Sequence, residues 1–252
     1  MTYPRKKQKL QAKTDANAWE NGTGSAGPDG WPVRQRKRVN ALSEDEKRQS
    51  GLLFCPGDPE LVRQKRRAHG LSREFNALEE GETARRKELL RQLFASVGEG
   101  VLVTGPVYVH YGIHTSIGDH FFANFNLTIQ DDARVTIGHN CNFGPNVTIV
   151  TPQHPLLPDE RRQMADRDGK PVHLCYAQPV EIGDDCWFGA NVVVCPGVRI
   201  GSGCVIGAGS VVTHDIPDRS VAAGNPCRVL RTLSEQDSLK YRPELLGDCS
   251  VL

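Results

Sequence analysis

Two polar clusters in this chain contain residue types that can act on a bound small molecule. The first runs from Phe121 to Asp132 and holds an aromatic-flanked pair of asparagines, Asn124 and Asn126, followed by two adjacent carboxylates. The second is the triplet Gln153-His154-Pro155. Amides and carboxylates form directional hydrogen bonds, and histidine, with an ordinary pKa of about 6.5, can take up a proton at neutral pH. Such clusters need a rigid scaffold to hold them.

An apolar residue recurs at every sixth position in the C-terminal half of the chain and indicates that scaffold. A period of six matches neither a helix nor a flat strand, so each unit is a short strand and a corner. Three units form a triangular turn of about 18 residues, and successive turns stack about 4.8 Å apart. The sequence therefore predicts a parallel β-helix. The apolar positions are Ile182, Phe188, Val194, Ile200, Ile206 and Val212, and the inward positions four residues later are Cys186, Val192, Val198, Cys204 and Ser210.

Glycine follows the apolar residue at Gly183, Gly189, Gly201 and Gly207. We interpret these glycines as corner residues, because glycine adopts positive φ without a Cβ clash. The same phase runs from Ile117 to Val135 and resumes at Ile137 after a two-residue slip, which we interpret as a local bulge of the prism. The alternative, a set of short strands in a sandwich, predicts alternation with turn signals about every 8 to 12 residues.

Two segments precede the predicted β-helix. Residues 1–42 contain nine Lys or Arg against three acids and few apolar residues, which predicts a disordered basic tail. Its functional alternative is a nuclear-import or polyanion-binding arm. Residues 43–100 are predicted to form a small helical domain. Its signals are a capping box from Ser43 to Glu46 and amphipathic stretches at Pro59 to Leu78 and Glu82 to Ser96.

The β-helix is predicted to span residues 101–232, with a C-terminal tail at 233–252. The period is lost between Thr151 and Pro179, where a polar, proline-containing segment intervenes. An excursion of that length inside a regular solenoid is usually functional. We therefore expect an inserted loop at 151–179 that begins with the second polar cluster.

Composition limits the function classes further. The formal net charge is +1, and no run of 18 apolar residues or apolar signal core is present, so we expect a soluble, cytoplasmic protein without membrane or nucleic-acid partners. Eight cysteines could form a disulfide framework, but no Cys-x-x-Cys occurs. Cys141, Cys186 and Cys204 fall on inward coil positions, where cysteine behaves as a small apolar residue.

Several motifs in one order resemble the maltose and galactoside O-acetyltransferases of the hexapeptide-repeat acyltransferase superfamily, from about Ser50 to Arg231. The resemblance implies a mainly β fold, a left-handed parallel β-helix preceded by a small α-helical N-terminal domain. It also implies a homotrimer, with acetyl-CoA as co-substrate in the groove between adjacent subunits. The matching segments are Phe121–Asp132, His154-Pro155, Ile182–Ala190, Ile206–Asp215 and Ala222–Arg228, and the helical segment with Leu53-Phe54 and Phe75-Asn76 is similar to the family's N-terminal domain.

The same resemblance implies roles for four residues on the acceptor side. His154 is the general base, which would help a weakly nucleophilic hydroxyl attack a thioester carbonyl. Asn124 and Asp132 bind the acceptor, and Asn124 also steadies the tetrahedral intermediate. Phe122 stacks on the acceptor. The structural alternatives are a surface-loop histidine, a left-handed corner asparagine at 124 and ordinary packing of Phe122.

On the donor side the resemblance implies that seven residues contact acetyl-CoA. Trp187, Ala190 and Ala208 line the pantetheine groove, although Trp187 could instead cap the prism. The contacts to the nucleotide and phosphates are Thr213, His214, Arg228 and Arg231. His214 stands where relatives often place Lys.

The acceptor side departs from the family at two positions. His110 and Pro56 replace polar or acidic acceptor contacts, so the identity of the acceptor is left open. The sequence thus predicts an acetyl-CoA-dependent O-acetyltransferase that acts on a sugar or sugar-like hydroxyl by direct transfer. No metal is expected, and a covalent cysteine route is disfavoured because the nearest cysteines point inward.

Two other functions are compatible with a β-helix. A metalloenzyme of the γ-carbonic-anhydrase type needs three histidines around zinc, and His110, His114, His120 and His139 lack its paired spacing. A zinc analysis would decide. A non-catalytic trimeric scaffold would have little reason to keep an amide, a carboxylate and an imidazole in the matching places, and thiol release from acetyl-CoA would exclude it.

Overall fold

The computed structural model describes residues 42–166, 168–246 and 249. Apart from Leu42, the predicted basic tail lies outside the described residues. Three helices come first, at α1 (Glu44–Gln49), α2 (Pro59–Asn76) and α3 (Thr83–Leu93). No helix among the residues that the structure describes is both long and apolar enough to span a lipid bilayer.

The helical segment begins at the expected signal. The Ser43 side chain accepts a hydrogen bond from the Glu46 amide, and the Glu46 carboxylate accepts one from the Ser43 amide at 2.7 Å. The third helix ends at Leu93, three residues before the prediction, because the chain is already extended at Phe94 and enters a sheet at Ser96. Asn76 docks α2 on the sheet through two hydrogen bonds to the backbone of Val107, at 2.7 and 2.9 Å.

From Ser96 onward, parallel strands form the three faces of a prism. Face one consists of β1 (Ser96–Val97), β4 (Thr115–Ile117), β7 (Val135–Ile137), β14 (Val180–Ile182) and β17 (Arg199–Ile200). Face two consists of β2 (Leu102–Val103), β5 (Phe122–Ala123), β8 (Asn142–Phe143), β15 (Trp187–Phe188), β18 (Val205–Ile206) and β20 (Ser220–Gly224), with β21 (Cys227–Thr232) antiparallel at its end. Face three consists of β3 (Val107–Val109), β6 (Leu127–Gln130), β9 (Thr148–Val150), β16 (Val193–Val194) and β19 (Val211–Val212).

The remaining elements are short. The inserted loop contains α4 (Pro158–Arg161) and two antiparallel pairs, β10 (Pro152–Gln153) with β13 (Tyr176–Ala177) and β11 (Met164–Ala165) with β12 (Pro171–Val172). The C-terminal tail forms single 3-10 turns at Glu235–Asp237, Leu239–Tyr241 and Pro243–Leu245.

The predicted inward positions form the core of the prism. Ile182 pairs in register with Ile137 on one side and Ile200 on the other, so equivalent apolar residues stack from turn to turn. Every apolar position of the six-residue repeat is at most 3% exposed. Cys141, Cys186 and Cys204 are buried free thiols on successive turns. The predicted parallel β-helix is therefore confirmed.

The interpretation of the corner glycines was wrong in its physical reason. Gly183 and its equivalents do not have positive φ; the left-handed position lies two residues later, at Asp185, Asn191 and Gly203. The glycines are needed because neighbouring turns approach closely. A Cβ on Gly183 would lie 2.7 Å from the backbone nitrogen of Ser202 and 2.9 Å from the carbonyl carbon of Gly201.

Gly118→Ala is expected to lower the free energy of unfolding by about 1–3 kcal/mol, the usual cost of an overpacked site. Its Cβ would lie 2.6–2.7 Å from backbone atoms of Gly138 and His139, which cannot move without separating two turns. Gly70→Ala is the control, because Gly70 lies within α2 with open space around its Cα. This control should gain about 0.5–1 kcal/mol. Equal urea midpoints for Gly118→Ala and the wild type would contradict the packing argument.

The two-residue slip has a definite position in the structure. Ile129 and Ile137 are eight positions apart, whereas Val194 and Ile200 are six apart. The extra residues lie in the corner between faces three and one and include Asp131 and Asp132. The inserted loop leaves the next turn at this same corner. Breaks in the period therefore mark one edge of the prism.

Candidate active site

The predicted site residues lie at two different corners of the prism. The loop corner follows the strands of face three and includes His110, Asp132, Thr151 and Thr213, with the inserted loop. The glycine corner follows the strands of face two and includes Asn124, Gly144, Ala190 and Ala208. Face three separates the two corners, and its four-residue strand β6 spans roughly 13 Å.

His154 is exposed at the base of the inserted loop. It follows β10, which the antiparallel partner β13 holds against the loop corner. Its Nδ1 lies 3.3 Å from the carbonyl oxygen of Leu174, and its ring stacks on that of His173 with the centroids 4.8 Å apart. A proton on Nδ1 that is donated to this carbonyl leaves Nε2 as the free acceptor nitrogen. This is the tautomer that a general base requires.

The helical segment holds the strand that orients His154. Phe54 and Cys175 exchange two backbone hydrogen bonds, at 2.9 and 3.1 Å, and Cys175 directly follows Leu174. A second apolar cluster, separate from the prism core, surrounds this contact. Its members come from the helical segment, the loop corner and the inserted loop and are Phe54, Leu61, Tyr111, Ala133, Cys175 and Ala177.

Asp132 is 2% exposed in the loop corner, one turn before His154. Its Oδ2 lies 3.1 Å from Nδ1 of His110, which is the first of the two departures from the family pattern. The backbone around it is fixed by Thr151, whose hydroxyl donates to the carbonyl of Gln130 at 2.7 Å and accepts from the amide of Ala133 at 2.9 Å. The second departure, Pro56, offers its carbonyl to the Lys65 ammonium at 2.8 Å.

The neighbouring carboxylate, Asp131, has a structural role that the sequence did not reveal. It is fully buried and accepts hydrogen bonds from the amide of Tyr111 at 2.8 Å and the hydroxyl of Thr115 at 3.0 Å. Burial raises its pKa, while these hydrogen bonds act in the opposite direction. Its backbone carbonyl lies 2.8 Å from Nδ1 of His114, so Asp131 organises the loop corner from inside.

Arg48 of α1 completes this buried network. It is fully buried, and its Nη2 lies 3.0 Å from Nε2 of His114, while its guanidinium lies 4.0 Å above the Tyr111 ring. Burial, and then the charge of Arg48, lowers the pKa of His114. Burial likewise raises the pKa of Tyr111. Contacts between residues more than 60 positions apart leave no periodic signal in a sequence, which is why this cluster was missed.

Asn124 is half-buried in the glycine corner. Its Oδ1 accepts a hydrogen bond from the amide of Phe125 at 2.8 Å, which leaves the Nδ2 group as a donor. The left-handed corner residue is Asn126, with φ of 62°, and not Asn124. Asn126 donates to Asn146, and Asn146 donates to Asn191, in a ladder along the corner. The left-handed corner position that was the structural alternative for Asn124 is therefore occupied by Asn126.

Phe122 and Trp187 point outward from face two. Phe122 pairs with Asn142, and Trp187 pairs with Asn142 and Val205 on the neighbouring turns. Trp187 is 58% exposed and does not cap the end of the prism. At the adjacent glycine corner, a Cβ on Gly189 would lie 2.6 Å from the nitrogen of Ala208, so the backbone here is closely stacked and its surface is formed by small residues.

The candidate phosphate-binding residues lie near the C-terminal end of the β-helix. His214 and Arg228 line an open depression of about 500 Å³ together with Asp215 and Val229. The Thr213 hydroxyl lies 2.9 Å from Nδ1 of His214. Arg231 is engaged elsewhere: it forms a two-pronged ion pair with Asp237 at 2.6 and 2.8 Å, which lowers the pKa of that carboxyl to about 2.

The four histidines considered for zinc are dispersed. His110 contacts Asp132, His114 contacts Asp131 and Arg48, and His139 lies 3.1 Å from Asp119. His120 has a left-handed backbone at a third corner. Within residues 42–166 and 168–246, His, Cys, Asp and Glu side chains do not come together in threes as a metal ion would require.

Two family models match the chain. Residues 47–98 match the maltose acetyltransferase hexapeptide capping motif, and residues 179–214 match the bacterial transferase hexapeptide with six repeats. The first match covers the helical segment with the start of the coils, and the second covers the region where the six-residue period is strongest.

Several known proteins are similar to this chain over most of its length. The galactoside O-acetyltransferase of Escherichia coli is 43% identical over 220 residues, which are 87% of this chain and 98% of that protein. A maltose O-acetyltransferase structure from Clostridium difficile has a TM-score of 0.71 and 41% identity, and covers 78% of this chain and all of its own. A galactoside acetyltransferase in complex with coenzyme A has a TM-score of 0.71 and 42% identity, with 78% of this chain and 94% of that one covered.

Proposed function

Because the chain belongs to the maltose and galactoside O-acetyltransferase family of hexapeptide-repeat enzymes, we propose that it moves an acetyl group from acetyl-CoA to a hydroxyl of a sugar or sugar-like acceptor. The observation that carries this proposal is His154, which is exposed beside the loop corner with Nδ1 held by the Leu174 carbonyl. Nε2 is then free to take a proton from a hydroxyl. A sugar hydroxyl needs this help because it is a weak nucleophile at neutral pH.

The transfer proceeds in one displacement on the acetyl group. Nε2 of His154 removes the hydroxyl proton while the acceptor oxygen forms a bond to the thioester carbonyl carbon. The carbon–sulfur bond then breaks, and the imidazolium returns its proton to the leaving thiolate. The products are the O-acetyl acceptor and the free thiol of CoA. A cysteine nucleophile has no place in this scheme, because Cys141, Cys186 and Cys204 are buried in the prism.

Asn124 interacts with the carbonyl oxygen of the acetyl group, and Asp132 interacts with a hydroxyl of the acceptor. The Nδ2 group of Asn124 is a free donor, since Oδ1 is taken by the Phe125 amide. It is suited to stabilise the negative charge that develops on the carbonyl oxygen. Asp132 can accept a hydrogen bond from an acceptor hydroxyl and is held rigidly by burial and by His110. Phe122 supplies an apolar surface beside Asn124 for one face of a sugar ring.

Assembly into a homotrimer brings the loop corner and the glycine corner of different copies together. The faces differ in chemistry: face one presents Thr136, Glu181 and Arg199, whereas Leu102 and Trp187 on face two are each 58% exposed. A closed ring of three copies would bury the apolar residues of face two, and each copy would contact two neighbours in it. The loop corner of one copy then meets the glycine corner of another.

The donor lies along the glycine corner, where Ala190 and Ala208 allow pantetheine to approach the backbone beside Trp187. The depression between His214 and Arg228 accepts the nucleotide phosphates. Arg228 suits this role because its guanidinium has no carboxylate partner within the described part of the chain, whereas Arg231 is paired with Asp237. Thr213 and His214 provide hydroxyl and imidazole contacts to the same group.

Arg228→Ala is expected to raise the KM for acetyl-CoA about tenfold, with a smaller change in the KM for the acceptor, because charge-assisted contacts to phosphate are the ones removed. Arg231→Ala is the matched control and should change the donor KM less, since Asp237 already occupies that guanidinium. Initial rates at varied acetyl-CoA provide the measurement. An unchanged donor KM in Arg228→Ala would remove this residue from the donor site.

The proposed activity is tested by the release of CoA thiol from acetyl-CoA in the presence of simple sugars. Galactose, glucose and maltose are suitable first acceptors, and mass spectrometry of the products identifies the added acetyl group. Acceptor-dependent thiol release is the expected result. The absence of release above the hydrolytic background with every sugar would contradict the proposal and favour a non-catalytic scaffold.

A further inference from the structure

A cleft beside the proposed transfer site lies between α2 and face three. It has a volume of about 330 Å³, within the usual range for small-ligand pockets of about 300–1,000 Å³. Asn76 sets its width, because its two hydrogen bonds to Val107 fix α2 against β3. The cleft reaches the acceptor side at His110, whose other contact is the Asp132 carboxylate.

The helix lines this cleft with basic side chains. His69 and Arg73 both line the cleft, and because they are four residues apart they lie along one side of α2. The His69 ring stacks on His110 at 5.8 Å with an interplanar angle of 7°. Burial lowers the pKa of His69, and the positive charges of His110, Lys65 and Arg73 lower it further. Arg73 thus supplies a positive charge at the cleft, and the Asp132 carboxylate contacts His110 rather than Arg73.

Two further observations indicate that the cleft receives a polar ligand. The Ser72 hydroxyl lines it, is 4% exposed as a residue, and has no hydrogen-bond partner within the described residues. A buried hydroxyl without a partner is costly, and a ligand oxygen would satisfy it. The guanidinium of Arg73 forms no ion pair with any described residue. Hydroxyl and amide groups complete the lining, at Tyr108, Thr128 and Gln130.

We propose that this cleft binds an anionic substituent of the acceptor, a carboxylate or a phosphate on a sugar ring, through Arg73, His69 and Ser72. The preferred acceptors are then sugar acids or sugar phosphates, with the reacting hydroxyl directed past His110 towards Asp132 and His154. This inference rests on the proposed O-acetyl transfer for the fate of the ligand. The binding step itself depends only on the cleft.

The test is isothermal titration of the full chain with glucuronate, glucose 6-phosphate and glucose. At least one of the two anions should bind about tenfold more tightly than glucose, the usual gain from a charge-assisted hydrogen bond. The anion that binds identifies the substituent. Arg73→Gln and His69→Gln should each bring the ratio of anion to glucose affinity towards one. Arg66→Gln is the matched control, because Arg66 is exposed on the same helix and outside the cleft.

Equal binding of glucose and both anions to the wild type would overturn the inference, as would an unchanged affinity ratio in both cleft variants. Thiol release with glucose separates this failure from failure of the proposed function. If glucose is acetylated without any preference for anions, the transferase activity stands and the anion site does not. If no acceptor supports thiol release but the anions bind through Arg73, the cleft stands and the proposed chemistry does not.

Discussion

His154→Ala is expected to lower kcat by about 10²- to 10⁴-fold, the usual contribution of a positioned general base. The imidazole is exposed, so its removal leaves no cavity in the core, and the fold should be retained. His154→Asn is a stricter variant. Its amide can still donate to the Leu174 carbonyl, but it cannot take up the hydroxyl proton, so it should be as inactive as the alanine variant. Steady-state rates at saturating acetyl-CoA provide the measurement.

His173→Phe is the matched control for this prediction. A phenyl ring retains the stacking surface that His173 offers to His154 at a centroid distance of 4.8 Å, so kcat should remain within about threefold of the wild type. Sedimentation and thermal unfolding establish that each variant assembles and folds like the parent. A kcat for His154→Ala within about threefold of the wild type would remove His154 as the base.

The fold followed from the sequence because its signal is local and repeated. Each six-residue unit must place one apolar residue, such as Phe188, inside the prism. A charged residue at any of these inward positions would break the stack. The helix start at Ser43 was equally visible, because a capping box uses only neighbouring residues. The glycines were located correctly but for the wrong reason. Close approach between turns depends on the pairing of Gly183 with Ser202, which the spacing alone does not describe.

The candidate site was only partly visible for a related reason. His154, Asn124 and Asp132 were identified by motif, and their roles stay predictions. The insertion was interpreted as functional and the slip only as a local bulge, and it was the structure that placed both at the loop corner. The contacts that position the site were not visible: the bridge from Phe54 to Cys175, and Arg48 against His114. These join the helical segment to the loop corner across the fold, and nothing periodic encodes them.

Mixed trimers of His154→Ala and Asn124→Ala are expected to recover about one quarter of the wild-type activity, although each variant alone is nearly inactive. The Asn124→Ala parent should lose about 10²- to 10³-fold, as removal of one oxyanion donor usually does. An imidazole and an amide on opposite corners of one prism, separated by face three, cannot readily reach the same acetyl group. A site between copies is intact when one copy retains His154 and the other retains Asn124.

Random assembly fixes the expected fraction. With equal amounts of the two variants, a given copy retains His154 in about half of the cases, and its neighbour retains Asn124 in about half. About one quarter of the sites are therefore complete in a ring with directional contacts. Wild-type chain mixed equally with the double variant His154→Ala, Asn124→Ala is the control. A site between copies predicts about one quarter of the activity there also, whereas a site within one chain predicts about one half. Recovery no greater than the mean of the two parents, together with one half in the control, would place the whole site in a single copy and remove the role proposed for the trimer.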